Sequence, residues 1–361
     1  MPQTLIFTGN PGPGIAVAAT AAALGIAASG QRTLLLTLGS SAGLAALLGI
    51  ELGPQPAVVM PNLDVLAPDP ATELAELWGR TVAQLPAGLS RMAADELPLL
   101  PGFGALFGLL RLVALRTKYE RIIVDAGPHD ALLLALGLPD TARWLIRLLL
   151  GLDRGPGQNR TSVINGLLPS DFLPSGFING TQDVRVQIER TRAELISPSA
   201  ACACYVLRPD TAGLAEARLA LPAIQLHGLA VATVAVGPLR PSEEIPEETA
   251  TLWPTRPWIP FPAPTTPGIA GLTSLGPALA SCDPLDLPAA PIQDRHQGAP
   301  AITIDVPGLP KGALGLTLSG DELIVRIGHY RRHILLPDGL RGTTSIRATR
   351  EGDLLIIRRR E

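Results

Sequence analysis

The stretch TLIFTGNPGPGIA, residues 4–16, decides the fold. Residues 4–8 (TLIFT) are an apolar, partly β-branched run, and predict a buried strand. Residues 9–14 (GNPGPG) alternate glycine and proline, the chemistry of a tight turn. Residues 15–29 (IAVAATAAALGIAAS) are apolar on most faces and predict a buried helix, which Gly30 stops. Residues 33–38 (TLLLTL) then read as a second strand apolar on both faces, so the strands pair in parallel with helices covering the sheet. Working outward, strands are expected at 62–67, 119–125, 204–208 and 229–236. Helices are expected over much of 70–117, with breaks at Pro86, Pro98 and Pro101, and over 130–151 and 211–227. A last strand at 258–261 and a helix at 267–281 complete the series. The alternation predicts an α/β fold with a doubly wound, mainly parallel sheet over residues 1–282. Its helical subdomain would comprise about 70–117 and 140–180.

The pattern changes near the end. Residues 283–298 carry few large apolar groups and read as a linker. Residues 299–361 show short alternating runs, such as Ile302, Ile304, Val306 and Leu323, Val325, Ile327, separated by turn residues. They predict a small β-sandwich.

Composition excludes several classes. Of 361 residues, 29 are basic and 32 acidic, a net charge of −3 with no basic excess for nucleic acid. The C-terminal 63 residues carry 10 basic against 7 acidic groups, so +3, and the remainder −6. Three cysteines exclude a disulfide scaffold. Cys202 and Cys204 suit one strand face better than a zinc site. His329 and His333 lack further ligands, so no metal is expected. The N-terminus has no basic n-region, and residues 99–115 are too short and too interrupted to span a bilayer. A cytoplasmic protein without a transmembrane segment is expected.

The first loop is where chemistry is expected. A Walker A loop, G-x-x-x-x-G-K-[ST], cradles phosphates with its amides, meets them with its lysine and holds Mg²⁺ with its hydroxyl. Gly9, Asn10, Pro11, Gly12, Pro13 and Gly14 keep the outer glycines, but Ile15 stands where the lysine belongs and Ala16 where the hydroxyl belongs. Pro11 and Pro13 remove two backbone donors.

Five segments in this order resemble the ArsA/Get3 family of deviant-Walker ATPases. They are GNPGPGIA (9–16), TLLLTLGSSAGLAALLG (33–49), YERIIVDAGP (119–128), DALLLALGLPDTARWLIRLLL (130–150) and the late unit 206–241. The resemblance implies a P-loop NTPase-like fold of the deviant Walker type, and a homodimer with nucleotide at its interface. It places Asn10 at the family's signature lysine, Ile15 at its Walker lysine, Ala16 at its Mg²⁺-binding threonine and Gly39 at its water-positioning aspartate. Asp125 matches the aspartate of the second switch, and also suits a carboxylate capping the next turn. Arg208, Pro209, Gly237 and Pro238 fall at the family's base pocket. The C-terminal segments 302–327, 333–339 and 350–359 resemble the α-crystallin, or small heat-shock, domain.

These substitutions imply a pseudo-ATPase, with no cofactor required. The retained glycines leave only a weak complex with ATP or ADP and Mg²⁺. The expected role is nucleotide-independent and chaperone-like. Phe103, Leu106, Phe107 and Leu110 are the expected groove for a hydrophobic helix or lipid-like client. The alternative is an ATP-hydrolysing member that borrows Arg32 or Arg121. An arsenite- or metal-binding role through Cys202, Cys204 and Cys282 ranks last.

Overall fold

A computed structural model describes residues 3–39, 41–81, 93–99, 101–150, 200–241, 256–283, 289–320 and 322–360, with isolated positions at 197, 245, 247, 249, 253 and 254. The sheet-forming strands are β1 (Gln3–Gly9), β2 (Thr33–Thr37), β3 (Ala57–Met60), β4 (Leu63–Leu66), β5 (Arg121–Pro128), β6 (Ala201–Leu207), β7 (Val231–Leu239) and β8 (Trp258–Pro262). They form one eight-stranded sheet in the order β3-β4-β2-β5-β1-β6-β7-β8. Every pair is parallel except β3 with β4. The register places Thr37 beside Asp125, Asp125 beside Phe7, and Gly9 beside Val206. Strand ends that carry chemistry therefore lie along one edge of the sheet, as this topology requires.

Helices α1 (Gly14–Ala28), α2 (Ser41–Leu48), α3 (Pro70–Thr81), α4 (Phe103–Leu115), α5 (His129–Leu150), α6 (Thr211–Leu226) and α7 (Ile269–Ala280) accompany the sheet. Alternation along the strands divides the core into two layers. Leu5, Phe7, Leu35, Ile123 and Cys204 face α1 and α7. Ile6, Leu34, Leu36, Ile122 and Val124 face α4, α5 and α6. The Ala-rich α1 is covered almost all round, because α7 closes its outer side. Gly25 and Gly276 make that crossing: a Cβ on Gly25 would stand 2.4 Å from the Gly276 carbonyl oxygen.

The remaining strands are β9 (Ile292–His296), β10 (Ala299–Asp305), β11 (Leu314–Ser319), β12 (Glu322–Ile327), β13 (Tyr330–Leu335), β14 (Ile346–Glu351) and β15 (Leu354–Arg359). They form an antiparallel sheet β14-β15-β10-β9 and a second sheet β11-β12-β13, which enclose Ile302, Ile304, Leu323, Val325, Ile327, Leu355 and Ile357.

Three expectations change, and a fourth is described only in part. Residues 292–296, read within a linker, form β9 and pair with β10, because a five-residue strand with two half-buried ends needs few large side chains. The hairpin strand β3 was not expected, since its burial is only partial. Strand β6 starts at Ala201, three residues earlier than expected, because the small side chains Ala201–Ala203 are buried as fully as Tyr205. Of the expected helical subdomain, α3, α4 and part of α5 are described, while 82–92 and 151–180 lie outside the described residues.

The sandwich rests on the end of α6. Leu226, fully buried, inserts into the sandwich core. That burial is worth about 1.5–3 kcal/mol. Asp305 accepts hydrogen bonds from Gln225 Nε2 at 2.6 Å and Arg256 Nη2 at 2.7 Å, and Trp253 Nε1 donates to the Pro307 carbonyl at 3.3 Å. Arg332 donates to the Leu226 carbonyl. The Tyr330 hydroxyl donates to Asp130 Oδ1 at 2.6 Å, at the first turn of α5.

Candidate functional site

The site starts where β1 delivers the chain into α1. Asn10 is 4% exposed and turned inward. Its Nδ2 donates to the Gly213 carbonyl at 3.1 Å and to Glu216 Oε2 at 2.8 Å, and its Oδ1 accepts the Arg208 backbone N–H at 3.0 Å. A side chain held this way cannot also reach toward a second subunit. The Arg208 guanidinium donates to the Pro11 carbonyl at 3.4 Å and pairs with Asp210 at 2.6 Å. Asp210 caps α6 by accepting the Gly213 N–H at 2.6 Å, and that bond holds its carboxyl below the usual range. The loop is thus tied to the β6–α6 turn.

A second set of bonds ties it to β5. Thr8 Oγ1 donates to the Gly127 carbonyl at 2.9 Å, and His129 Nδ1 lies 2.8 Å from the Gly9 carbonyl, which makes that nitrogen the protonated one. His129 also packs against Tyr205 and Tyr330. Asp130 beside it is exposed, yet the part of it that is covered opposes its ionisation. The Tyr330 hydrogen bond and the neighbouring imidazoles outweigh that and hold its carboxyl below the usual range.

Asp125 is buried, and burial pushes its carboxyl above the usual range against two hydrogen bonds that favour the charge. Those come from the Gly127 N–H at 3.1 Å and Thr37 Oγ1 at 3.2 Å. Its capping role is therefore met by the chain itself. Gly39 donates to Thr37 Oγ1 at 3.0 Å, and a Cβ there would stand 3.8 Å from Asp125 Oδ2. A carboxylate at position 39 would meet a second one.

A cavity of about 740 Å³ opens beside the loop. Ile15, Ala16, Leu44 and Leu47 line one side, Asp125 and Gly127 another, and residues 264–268 close it. Ile15 is 2% exposed and belongs to the core under α1 as well as to the cavity wall. Among the described lining residues there is no Lys, Arg or His.

The other expected residues fall elsewhere. Arg208 and Pro209 follow β6, and the cis Gly237–Pro238 bond lies in β7, with Pro238 Cδ 2.7 Å from where a Gly14 Cβ would be. They flank the loop, but none lines the cavity; the 264–268 segment does. In α4, Phe107 is buried, and Phe103, Leu106 and Leu110 are half-buried. Phe103 and Phe107 meet edge to face at 5.9 Å. Phe107 is thus spent inside rather than on an open groove. Arg32 and Arg121 precede β2 and open β5, at the ends of these strands away from the loop. Asp125 lies four steps along the strand from Arg121, roughly 13 Å. Arg32 stacks on Tyr119 and Arg121 pairs with Asp283 at 3.3 Å, so neither serves the loop.

The fold brings Cys202, Cys204 and Cys282 into one buried group, where burial pushes the Cys202 thiol up to about 12. Among the described residues no set of three His, Cys, Asp or Glu could hold a metal ion. His329 is exposed at the β12–β13 turn, while His333 pairs with Glu322 at 3.4 Å. No described helix is long and apolar enough to cross a membrane. Sequence reasoning missed His129 and Tyr330. The one local signal was a histidine directly after the D-A-G-P segment.

A mainly parallel sheet with a glycine loop between β1 and α1, and a buried aspartate in the neighbouring β5, defines a P-loop NTPase-like α/β protein. Residues 2–252 match the family described as anion-transporting ATPase, and residues 298–358 match the HSP20-like domain found in ArsA. The chain belongs to the anion-transporting ATPase family. An uncharacterised protein of Streptomyces coelicolor is 29% identical, over 98% of this chain and 96% of its own length. The "Putative arsenical pump-driving ATPase 1" of Aquifex aeolicus is 22% identical over 98% of this chain and 99% of its own. That of Prosthecochloris vibrioformis, "Putative arsenical pump-driving ATPase", is 26% identical over 67% of this chain and 62% of its own.

Proposed function

We propose that this chain is a pseudo-ATPase of its family: a cytoplasmic, chaperone-like protein that holds hydrophobic clients without nucleotide and works as a homodimer. The carrying observation is Ile15, an apolar core side chain where phosphate binding needs an ammonium. Asn10 supports the reading, because its amide is engaged within its own chain. Ala16 offers no hydroxyl to Mg²⁺. Removing one electrostatic element from a transition state costs ~3–4 kcal/mol in comparable sites, and several are missing together. The half-buried Phe103, Leu106 and Leu110 are the proposed client-facing residues, in a chain that also carries an HSP20-like domain. Titration calorimetry with ATP and ADP, with and without Mg²⁺, tests the reading. No heat up to millimolar ligand is expected, that is, binding weaker than about −4 kcal/mol. Micromolar affinity overturns it in favour of an ATP-using member of the family.

A further inference from the structure

We propose that the cavity beside the first loop is a binding site for a small neutral molecule with a compact apolar body and one hydroxyl or carbonyl group. The inference rests on the nucleotide-independent reading and names what the site takes instead.

Size comes first. About 740 Å³ lies within the 300–1,000 Å³ range of small-molecule sites, so the space is a pocket rather than a packing defect. The walls come next. Ile15, Ala16, Leu44, Leu47 and Leu272 surround it with hydrocarbon, and the prolines at 13, 128, 264 and 267 add apolar surface without N–H donors. Charge then selects among ligands. The starts of α1 and α7 face this space, and helix N-termini favour negative charge. The chain already supplies a negative group in Asp125, a residue of the same lining. With no described cation in the wall, a second anion would be desolvated beside the first. A neutral ligand meets no such cost. Polarity finally fixes the hydroxyl or carbonyl. Asp125 keeps lone pairs beyond its bonds from Gly127 and Thr37, and Thr265 and Thr266 add two hydroxyl-bearing residues to the lining. A long charged amphiphile fits neither the volume nor the charge.

Nile red, a neutral fluorophore with a single ring carbonyl, is a suitable probe. It would be titrated into the full chain, alone and with millimolar Mg-ATP as competitor. Three variants accompany the wild type. Ala16→Trp fills the cavity from a half-buried helix position, and Leu47→Glu places charge in its wall. Val58→Glu alters an exposed apolar residue, 77% accessible, on the far edge of the sheet. Thermal unfolding of each variant establishes that it is folded. If Ala16→Trp is not, Leu47→Glu carries the comparison.

The expected result is saturable one-to-one binding, at least tenfold weaker in Ala16→Trp and Leu47→Glu, unchanged in Val58→Glu and untouched by Mg-ATP. Equal binding in all four proteins overturns the assignment, since the dye then sits elsewhere. No dye binding together with no ATP heat overturns it too, while leaving the nucleotide-independent reading standing. Displacement of the dye by Mg-ATP overturns both.

Discussion

Replacing Asn10 with alanine should unfold the first domain more easily, not merely silence a reaction. Its side chain makes three hydrogen bonds, to the Gly213 carbonyl, to the Glu216 carboxylate and from the Arg208 N–H. Two are neutral, worth about 1 kcal/mol each, and one goes to a charged group, worth about 1.5–3 kcal/mol. Alanine also leaves the Gly213 carbonyl and the Arg208 amide without this partner in a buried setting. A partly exposed Glu216 would recover some solvation. The expected loss is about 3–4 kcal/mol. At 2–4 °C per kcal/mol for a domain of this size, the melting point falls by ~6–16 °C. Differential scanning calorimetry and urea unfolding measure both quantities. Asn10→Asp serves as the internal control. It still accepts from Arg208, but it loses both donations and faces Glu216 with a like charge, so it should be worse than alanine at pH 7 and recover on acidification. A change below 0.5 kcal/mol for Asn10→Ala would refute the reasoning, because the inward clamp would then contribute nothing.

Three other outcomes follow from the same structure. Asp125→Asn should keep stability within about 1 kcal/mol at pH 7, since an amide can still accept from Gly127 and donate to Thr37. Burial raises the Asp125 pKa, so its ionisation lowers stability as pH climbs through the carboxylate range and stays costly above it. Urea titrations from pH 3.5 to 7 should therefore show the asparagine variant gaining on the wild type with rising pH. Gly25→Ala should destabilise by about 1–3 kcal/mol despite alanine's better helix propensity, because its methyl would overlap the Gly276 carbonyl; thermal unfolding that improves instead contradicts the α1–α7 crossing. Tyr330→Phe should cost about 1 kcal/mol, the low range for a bond to a half-exposed carboxylate. Asp130 has a depressed pKa, so its contribution holds above the ordinary carboxylate range and fades as pH falls through the depressed value. The phenylalanine variant should lose most of that acid dependence in calorimetry.

Much of the architecture was legible because apolar strands announce themselves. The strand cores at 4–8, 33–37 and 122–125 are fully buried, so burial dominates their composition. The β3 hairpin and β9 were not legible, since both are half-exposed edge strands whose partners, not their own side chains, define them. At the loop, the identities of Ile15 and Ala16 could be read directly. The inward turn of Asn10 could not, because its partners lie about 200 residues away. Arg32 and Arg121 misled for a related reason: a sequence does not say which end of a strand faces the site. His129 and Tyr330 went unseen because their value comes from the meeting of two units distant in the chain.

The edges of the large sheet carry one more consequence. On one side β8 reads WIPFP, and Pro260 and Pro262 both face outward where a further strand would seek N–H donors. On the other side β3 is only four residues long and runs against its neighbour. Prolines and short margins are the means by which sheets avoid templating their own kind. In a molecule whose proposed work is to hold hydrophobic clients, the described margins of the large sheet thus give an incoming strand little to pair with.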